Sequence, residues 1–295
     1  MDTQTVMSFA SVVIGTLLFM ICAPIVGCLL DGIDRKISAR MQGRVGPKIL
    51  QPYWDVRKLL NKERASVNST ESTYINAALF FALLSGGIFF SGGNFLLVVF
   101  IITLSSLFFI VAAYSTRSPY AEVGAARETL QVMSYEPMVL LTSVILFMIA
   151  GTFNVEGLFT MRSPLICMGW ATFLGLLFVL TIKLRKSPFD ISSSHHAHQE
   201  IVKGITTEMS GPTLAKVEIM HWCENVLFLG WVGMFFLYSN PISILIAVVF
   251  ALVVYFLEIW IDNNFARVKW QVMLKWAWIV ALVAGGANIA ILAFL

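Results

Sequence analysis

Charge is what this sequence lacks. Asp, Glu, Lys and Arg together make up 13% of its 295 residues, against about 25% in an ordinary soluble domain. Cysteine is scarce as well: Cys22, Cys28, Cys167 and Cys223 form no Cys-x-x-Cys pair and no metal-ligand spacing. The chain is therefore expected to hold neither zinc nor an iron-sulfur cluster, and to leave any electron carriers to partners. A cleavable leader is not expected, because the first apolar run starts near Ser8, is too long for an h-region and follows no basic segment. No low-complexity tract, linker or transporter-like internal repeat divides the sequence, so residues 1–295 read as a single domain. The formal net charge of +3 says little about partners, since orientation in a bilayer depends on where Lys and Arg lie. Nothing points to nucleic acid.

What is abundant is apolar surface. Hydrophobic residues reach 58% and the mean hydropathy is +0.81, which places the chain in a membrane. Eight runs are long enough to cross about 30 Å of hydrocarbon: roughly 8–30, 74–91, 95–115, 137–153, 165–182, 221–239, 241–260 and 276–295. The expected fold is all-α and polytopic, with short interfacial helices between spans. Lys and Arg number nine in 31–73, two in 114–136, five in 183–220 and three in 261–275, which leaves only Arg162 on the other side. This asymmetry predicts cytoplasmic polar loops and external N- and C-termini in a cytoplasmic (inner) membrane.

Ionisable groups concentrate between Arg185 and Glu224, around the polar loop 185–220. Asp190, Glu200, Glu208, Glu218 and Glu224 occur there with all four histidines, His195, His196, His198 and His221. A bilayer protein that gathers acids between spans is building a proton or ion site, unless the stretch is simply a solvated loop. Glu200, Gly204 and Glu208 share one face at helical spacing. The close-set His195, His196 and His198 suit an interface or proton antenna, and no metal is expected on them.

The basic segment 34–63 has apolar Ile33, Ile37 and Met41 at helical spacing, predicting an interfacial helix after the first span. Gly43, Gly46 and Pro47 break it, and a short amphipathic helix restarts after Pro52. Arg35, Arg40, Arg44, Arg57 and Lys58 form either a docking surface or a patch that holds anionic lipid. In 116–137, Pro119 opens a helix and Pro137 is expected to stop it at Glu136. Glu122, Arg127, Glu128 and Glu136 then lie near membrane depth, with Arg127 paired to a carboxylate. Beyond Pro212, Glu218, His221 and Asn225 share a helix face. Glu258 and Asp262, at i and i+4, read as snorkelling or capping groups.

Three stretches carry a resemblance: GRVGPKILQPYWDVRKLLNKE, SPYAEVGAARETLQVMSYE and SPFDISSSHHAHQEIVKGITTEMSG. In this order on eight helices they resemble motifs of the complex I subunit 1 (NuoH-like) family. SSSHHAHQ stands where quinone-using members carry an acid-rich stretch, and this is similar to energy-converting, Ech-type (group 4) [NiFe] hydrogenases. The resemblance implies a non-redox subunit that couples ferredoxin oxidation and proton reduction to H2 with H+ or Na+ translocation. It also implies partners: hydrogenase large and small subunits with the NiFe centre, a ferredoxin-like iron-sulfur subunit and an antiporter-like membrane subunit, all within lipid. By motif, Glu136, Asp190, Glu200 and Glu208 match family positions. Glu122, Arg127 and Glu218 join the ion path on local pattern alone. A quinone-site heel subunit of respiratory complex I and the membrane subunit of a formate hydrogenlyase stay open as alternatives.

Overall fold

The structure is a computed structural model that describes residues 3–63, 68–186, 189, 192 and 203–294. Among these the architecture is all-helical. Helix α1 (Thr3–Met41) is followed by the short α2 (Gln51–Leu60) and then by α3 (Ser69–Phe90), α4 (Phe95–Ser115), α5 (Pro119–Ala150), α6 (Ile166–Lys183), α7 (Gly211–Met234) and α8 (Ile242–Asn264). The chain closes with α9 (Trp270–Val280), a π-helical segment Ala281–Gly286 and α10 (Ala287–Phe294), which together make one rod. Single 3-10 turns occur at Val155–Thr160 and Gly204–Thr206.

Seven helical stretches are long and apolar enough to cross a membrane: α1, α3, α4, α5, α6, α8 and the α9–α10 rod. The run expected at 221–239 lies mostly within α7, which has 24 residues and is long enough to span. Lys216, Glu218, His221 and Glu224 lower its apolarity. Helix α7 is buried on most of its circumference, packing against α1, α2, α3 and α8. A helix enclosed by protein on nearly every side can carry polar groups that a lipid-facing helix cannot.

Two expected boundaries are absent. The first span and the following interfacial helix are one helix of 39 residues, about 58 Å at 1.5 Å per residue, roughly twice the hydrocarbon thickness. Its charged end therefore projects beyond the apolar layer without a break. Gly43 and Gly46, both at positive φ, end it as expected, and Pro52 sits in the first turn of α2. Pro137, predicted to stop a helix, instead lies inside the 32-residue α5. With no water to solvate an opened backbone at that depth, losing one hydrogen bond costs less than breaking the helix.

Successive long helices alternate in direction, so the chain has a polar end and an opposite end. At the opposite end, Phe95 N donates to Phe153 O at 2.8 Å, Val155 N to Gly93 O at 3.0 Å and Ile166 N to Phe235 O at 3.0 Å. At the polar end the segments flanking α2, α5, α7 and α8 meet. Gln42 Nε2 donates to Asn263 Oδ1 at 2.9 Å, and Ile205 N donates to Ser192 O at 3.1 Å.

Candidate functional site

Helix α5 turns Glu128, Gln131 and Tyr135 to one side, at i, i+3 and i+7. Helix α7 presents His221, Glu224 and Phe228 at the same spacing. Between them comes the end of α6, with Lys183 and Arg185, and from α4 come Ser106 and Phe109. All of these except His221 and Phe228 line a void of about 10 Å³, roughly the room one water needs. Glu128 and Glu224 are 6% and 7% exposed, so both acids are almost wholly removed from water.

Each buried charge is met by others. Arg185 Nη2 lies 3.4 Å from Glu128 Oε1, and Ser192 Oγ donates a hydrogen bond to Glu128 Oε2. With its amide nitrogen toward the carboxylate, Gln131 donates to Glu128 Oε2 at 3.3 Å and accepts from Ser192 N at 3.2 Å. His221 Nδ1 lies 3.4 Å from Glu224 Oε2. The ammonium of Lys183 stands 3.6 Å from the centroid of the Tyr135 ring and 4.9 Å from that of Phe228, and Arg185 stacks over Phe109 at 5.4 Å. Such aromatic faces stabilise a cation that has lost its hydration. The charges acting on Lys183 are those of Glu224, Glu128, Arg185 and Glu136. A change of charge at any member is therefore felt by the rest, as in a coupled set of sites.

The chamber is tied mechanically to the polar end. Ser192 bonds both to Glu128 and, through its carbonyl, to Ile205 N, which lies in the 3-10 turn Gly204–Thr206. That turn presses on α5 at Gly124, where a Cβ would come within 2.2 Å of Ile205 N. Glycine is what lets the backbones touch.

Several expected site residues lie elsewhere. Asp190, Glu200, His195, His196 and His198 fall outside the described residues. Glu208 is half-buried in the turn after the 3-10 segment, so it is not carried on an α-helix; Gly204 at positive φ precedes it. Glu122 is exposed in the first turn of α5. Arg127 stacks over Trp270 with 5.4 Å to the ring centroid, away from the chamber lining. Glu136 is partly buried, and its field reaches Lys183. Glu218 and His221 do not serve one site. Glu218 lines a cavity of about 520 Å³ with Asp31, Arg35, Asp55 and Trp222, whereas His221 packs against Phe109 and Glu224. Among the basic residues at the polar end, Arg40, Arg44, Arg57 and Lys58 are exposed. Arg35 instead bridges α1 and α2, 2.9 Å from both Asp31 and Asp55.

Sequence pattern alone does not bring Glu128, Lys183, Arg185 and Glu224 together in one chamber. The signal for two of them is present: an acid followed by Gln and Tyr at i+3 and i+7 in α5, and His followed by an acid at i+3 in α7. Glu258, expected to be a snorkelling or capping group, is fully buried in α8, because α8 packs that face against α7 and α1.

Known proteins share this fold. A solved chain from the membrane-bound sulfane sulfur reductase, an archaeal respiratory membrane complex, superposes with a TM-score of 0.82 at 24% identity, covering 94% of this chain and 99% of that one. That likeness establishes the fold. Hydrogenase-4 component C of Escherichia coli (strain K12) is 32% identical over 206 residues, 63% of this chain and 63% of that protein, so the match spans less than two thirds of the relative. An NADH-quinone oxidoreductase subunit of Anoxybacillus flavithermus is 27% identical over 91% of this chain and 90% of that one. These relatives are membrane subunits of multi-subunit oxidoreductase complexes. Residues 14–293 match the family model described as NADH dehydrogenase, and the chain, with its NuoH-like motifs, belongs to that family.

Proposed function

We propose that this chain is the membrane coupling subunit of an energy-converting [NiFe] hydrogenase, a non-redox element linking ferredoxin oxidation and H2 formation to H+ or Na+ translocation. The observation that carries the reading is the chamber: two acids and two strong cations, with a histidine, enclosed between α4, α5, α6 and α7. Charges held at membrane depth are costly and mark ion or proton routes. Charged groups beneath a loop latched to Glu128 through Ser192 supply a way for events at the polar end to reach the membrane interior. Similarity to Hydrogenase-4 component C and the SSSHHAHQ segment support the hydrogenase branch.

On this reading all eight long helices, α7 included, cross the membrane, the polar end is cytoplasmic and both termini are external. Glu122, Glu136, Asp190, Glu200, Glu208 and Glu218 extend the carboxylate path on either side of Glu128 and Glu224. Arg40, Arg44, Arg57 and Lys58 face the hydrophilic arm, where the large, small and iron-sulfur subunits carry the nickel-iron centre and clusters. An antiporter-like subunit sits beside this chain. A second reading, the quinone-site subunit of a respiratory complex I, is favoured by the 520 Å³ cavity between α1, α2 and α7 and by the similarity to the NADH-quinone oxidoreductase relative.

The test is ion uptake by inverted vesicles during ferredoxin-driven H2 evolution, with the unmodified protein and Glu224→Gln. The unmodified complex is expected to contain nickel and to take up ions without added quinone. Glu224→Gln keeps shape and hydrogen bonding but removes the charge, so uptake is expected to collapse while dye-linked hydrogenase activity persists. Activity lost on extracting quinone and restored by adding it moves the chain to the complex I reading.

A further inference from the structure

Glu258 lies outside the chamber, on α8, which packs against α1, α6 and α7. It is 0% exposed, and neither carboxylate oxygen has a hydrogen-bond partner among the described residues. An ionised carboxylate in that position is very costly: desolvation takes several kcal/mol even after relaxation, and no hydrogen bond offsets it. Positive Lys186 and negative Asp262 both act on it, and Lys186 also pairs with Asp34 Oδ2 and lies 4.0 Å from Asp262 Oδ2.

The groups on the neighbouring elements complete the surroundings. From α1, Asp34 also accepts from Ser38 Oγ at 3.3 Å, and Arg35 is occupied by Asp31 and Asp55. On α8, one turn before Glu258, Tyr255 donates its hydroxyl to Leu30 O at 3.2 Å, so it is not a donor to the acid. Helix α7 carries Lys216, Glu218, His221, Cys223 and Glu224, none of which is among the charges acting on Glu258. Lys186 thus serves Asp34 and Asp262 as well as acting on Glu258.

The cluster has an outlet. Asp34 and Asp262 line a cavity of about 1090 Å³ at the polar end, together with Arg44, Asn263 and Arg267. Glu258 lies one helical turn before Asp262, about 6 Å along the axis, and Lys186 pairs with Asp34 and lies 4.0 Å from Asp262. Asp262 is thus the cavity-wall acid next to Glu258 along α8.

We propose that Glu258 is a proton-binding site, loaded from the cavity through the Asp34–Lys186–Asp262 cluster and separate from the chamber around Glu128 and Glu224. The transfer balances simply: a proton from the cavity becomes bonded to one Glu258 oxygen, the carboxylate becomes a neutral carboxylic acid, and release reverses the step. Exchange during turnover rests on the ion-coupling reading above; proton occupancy at rest does not.

The experiment is infrared spectroscopy of the assembled complex in membranes at neutral pH, first at rest and then during ferredoxin-driven turnover. At rest, a carboxylic-acid carbonyl band that shifts in D2O is expected in the unmodified protein and lost in Glu258→Gln. Identical carbonyl regions in the two proteins overturn the proposal. If Glu258→Gln does not assemble, Glu258→Asp is expected to shift the band without removing it, and an unchanged band overturns the assignment. During turnover the band is expected to lose intensity, and a band that stays constant while the vesicles pump refutes the exchange. Wild-type vesicles that evolve H2 without ion uptake sink the coupling function itself, while the resting band still decides whether Glu258 holds a proton.

Discussion

The guanidinium–carboxylate contacts of Arg35 and Arg185 both join separate helical elements, and distance does not rank them. Arg35 bridges α1 and α2 with both contacts at 2.9 Å, whereas Arg185 approaches Glu128 at 3.4 Å. The Arg35 side chain is 40% exposed and that of Asp55 41%, against 19% and 8% for Arg185 and Glu128. Water and salt screen the first contact, so its shorter length contributes little. In the chamber water screens the pair far less, and removing one partner leaves a buried charge less compensated. Burial, more than proximity, separates an ion pair that trims a surface from one that decides whether a helix bundle holds together.

The largest expected effect follows from that difference. Glu128→Ala removes a carboxylate partner of Arg185 and the acceptor for Ser192, and breaking such a buried pair costs about 3–5 kcal/mol. The variant is expected to melt well below the unmodified protein in detergent and to lose assembled complex. An unchanged melting temperature would show that water already reaches the chamber and that the contrast with Arg35 is illusory.

Gly124→Ala tests the latch rather than the charges. A methyl group there meets the backbone of Ile205 at 2.2 Å, and a backbone cannot step aside as a flexible side chain can. The turn at 203–208 is expected to lift off α5 and become open to protease, while α5 stays helical because alanine favours helix. Equal proteolysis of variant and unmodified protein would mean that the turn is held by something other than its seat on α5.

The smallest effect is expected for Arg35→Ala, a loss of about 0.2–1 kcal/mol that shrinks as salt is raised. A loss as large as that of Glu128→Ala, insensitive to salt, would show that Arg35 is buried in the assembly by a partner.

The positions at which expectation and structure part follow a pattern. Gly43, Gly46 and Pro52 behave as local chemistry dictates, because nothing packs there strongly enough to override it. Pro137 does not, since its surroundings supply no water to a broken helix, and the sequence alone does not say that Pro137 lies at depth. Glu258 looks like the snorkelling residue its place near a helix end suggests. Only the packing of α8 on α1 and α7 shows that it points inward. Spacing puts Glu200 and Glu208 on one helix, but Gly204 at positive φ and the turn that follows interrupt that periodicity.

The sequence by itself determined that this is a helical membrane protein, with its basic residues gathered at one end, its break at Gly43, Gly46 and Pro47 and a helix restarting at Pro52. Hydropathy, charge asymmetry and turn chemistry are sums over neighbouring residues, and a chain in hydrocarbon has few ways to satisfy its backbone besides helix. Which acid meets which cation was decided only by the tertiary structure. Arg185 finds Glu128 across 57 positions and Lys186 finds Asp34 across 152. Nothing local encodes such partners: a buried charge is stable only where several helices deliver the groups that compensate it, and that delivery is a property of the packed bundle.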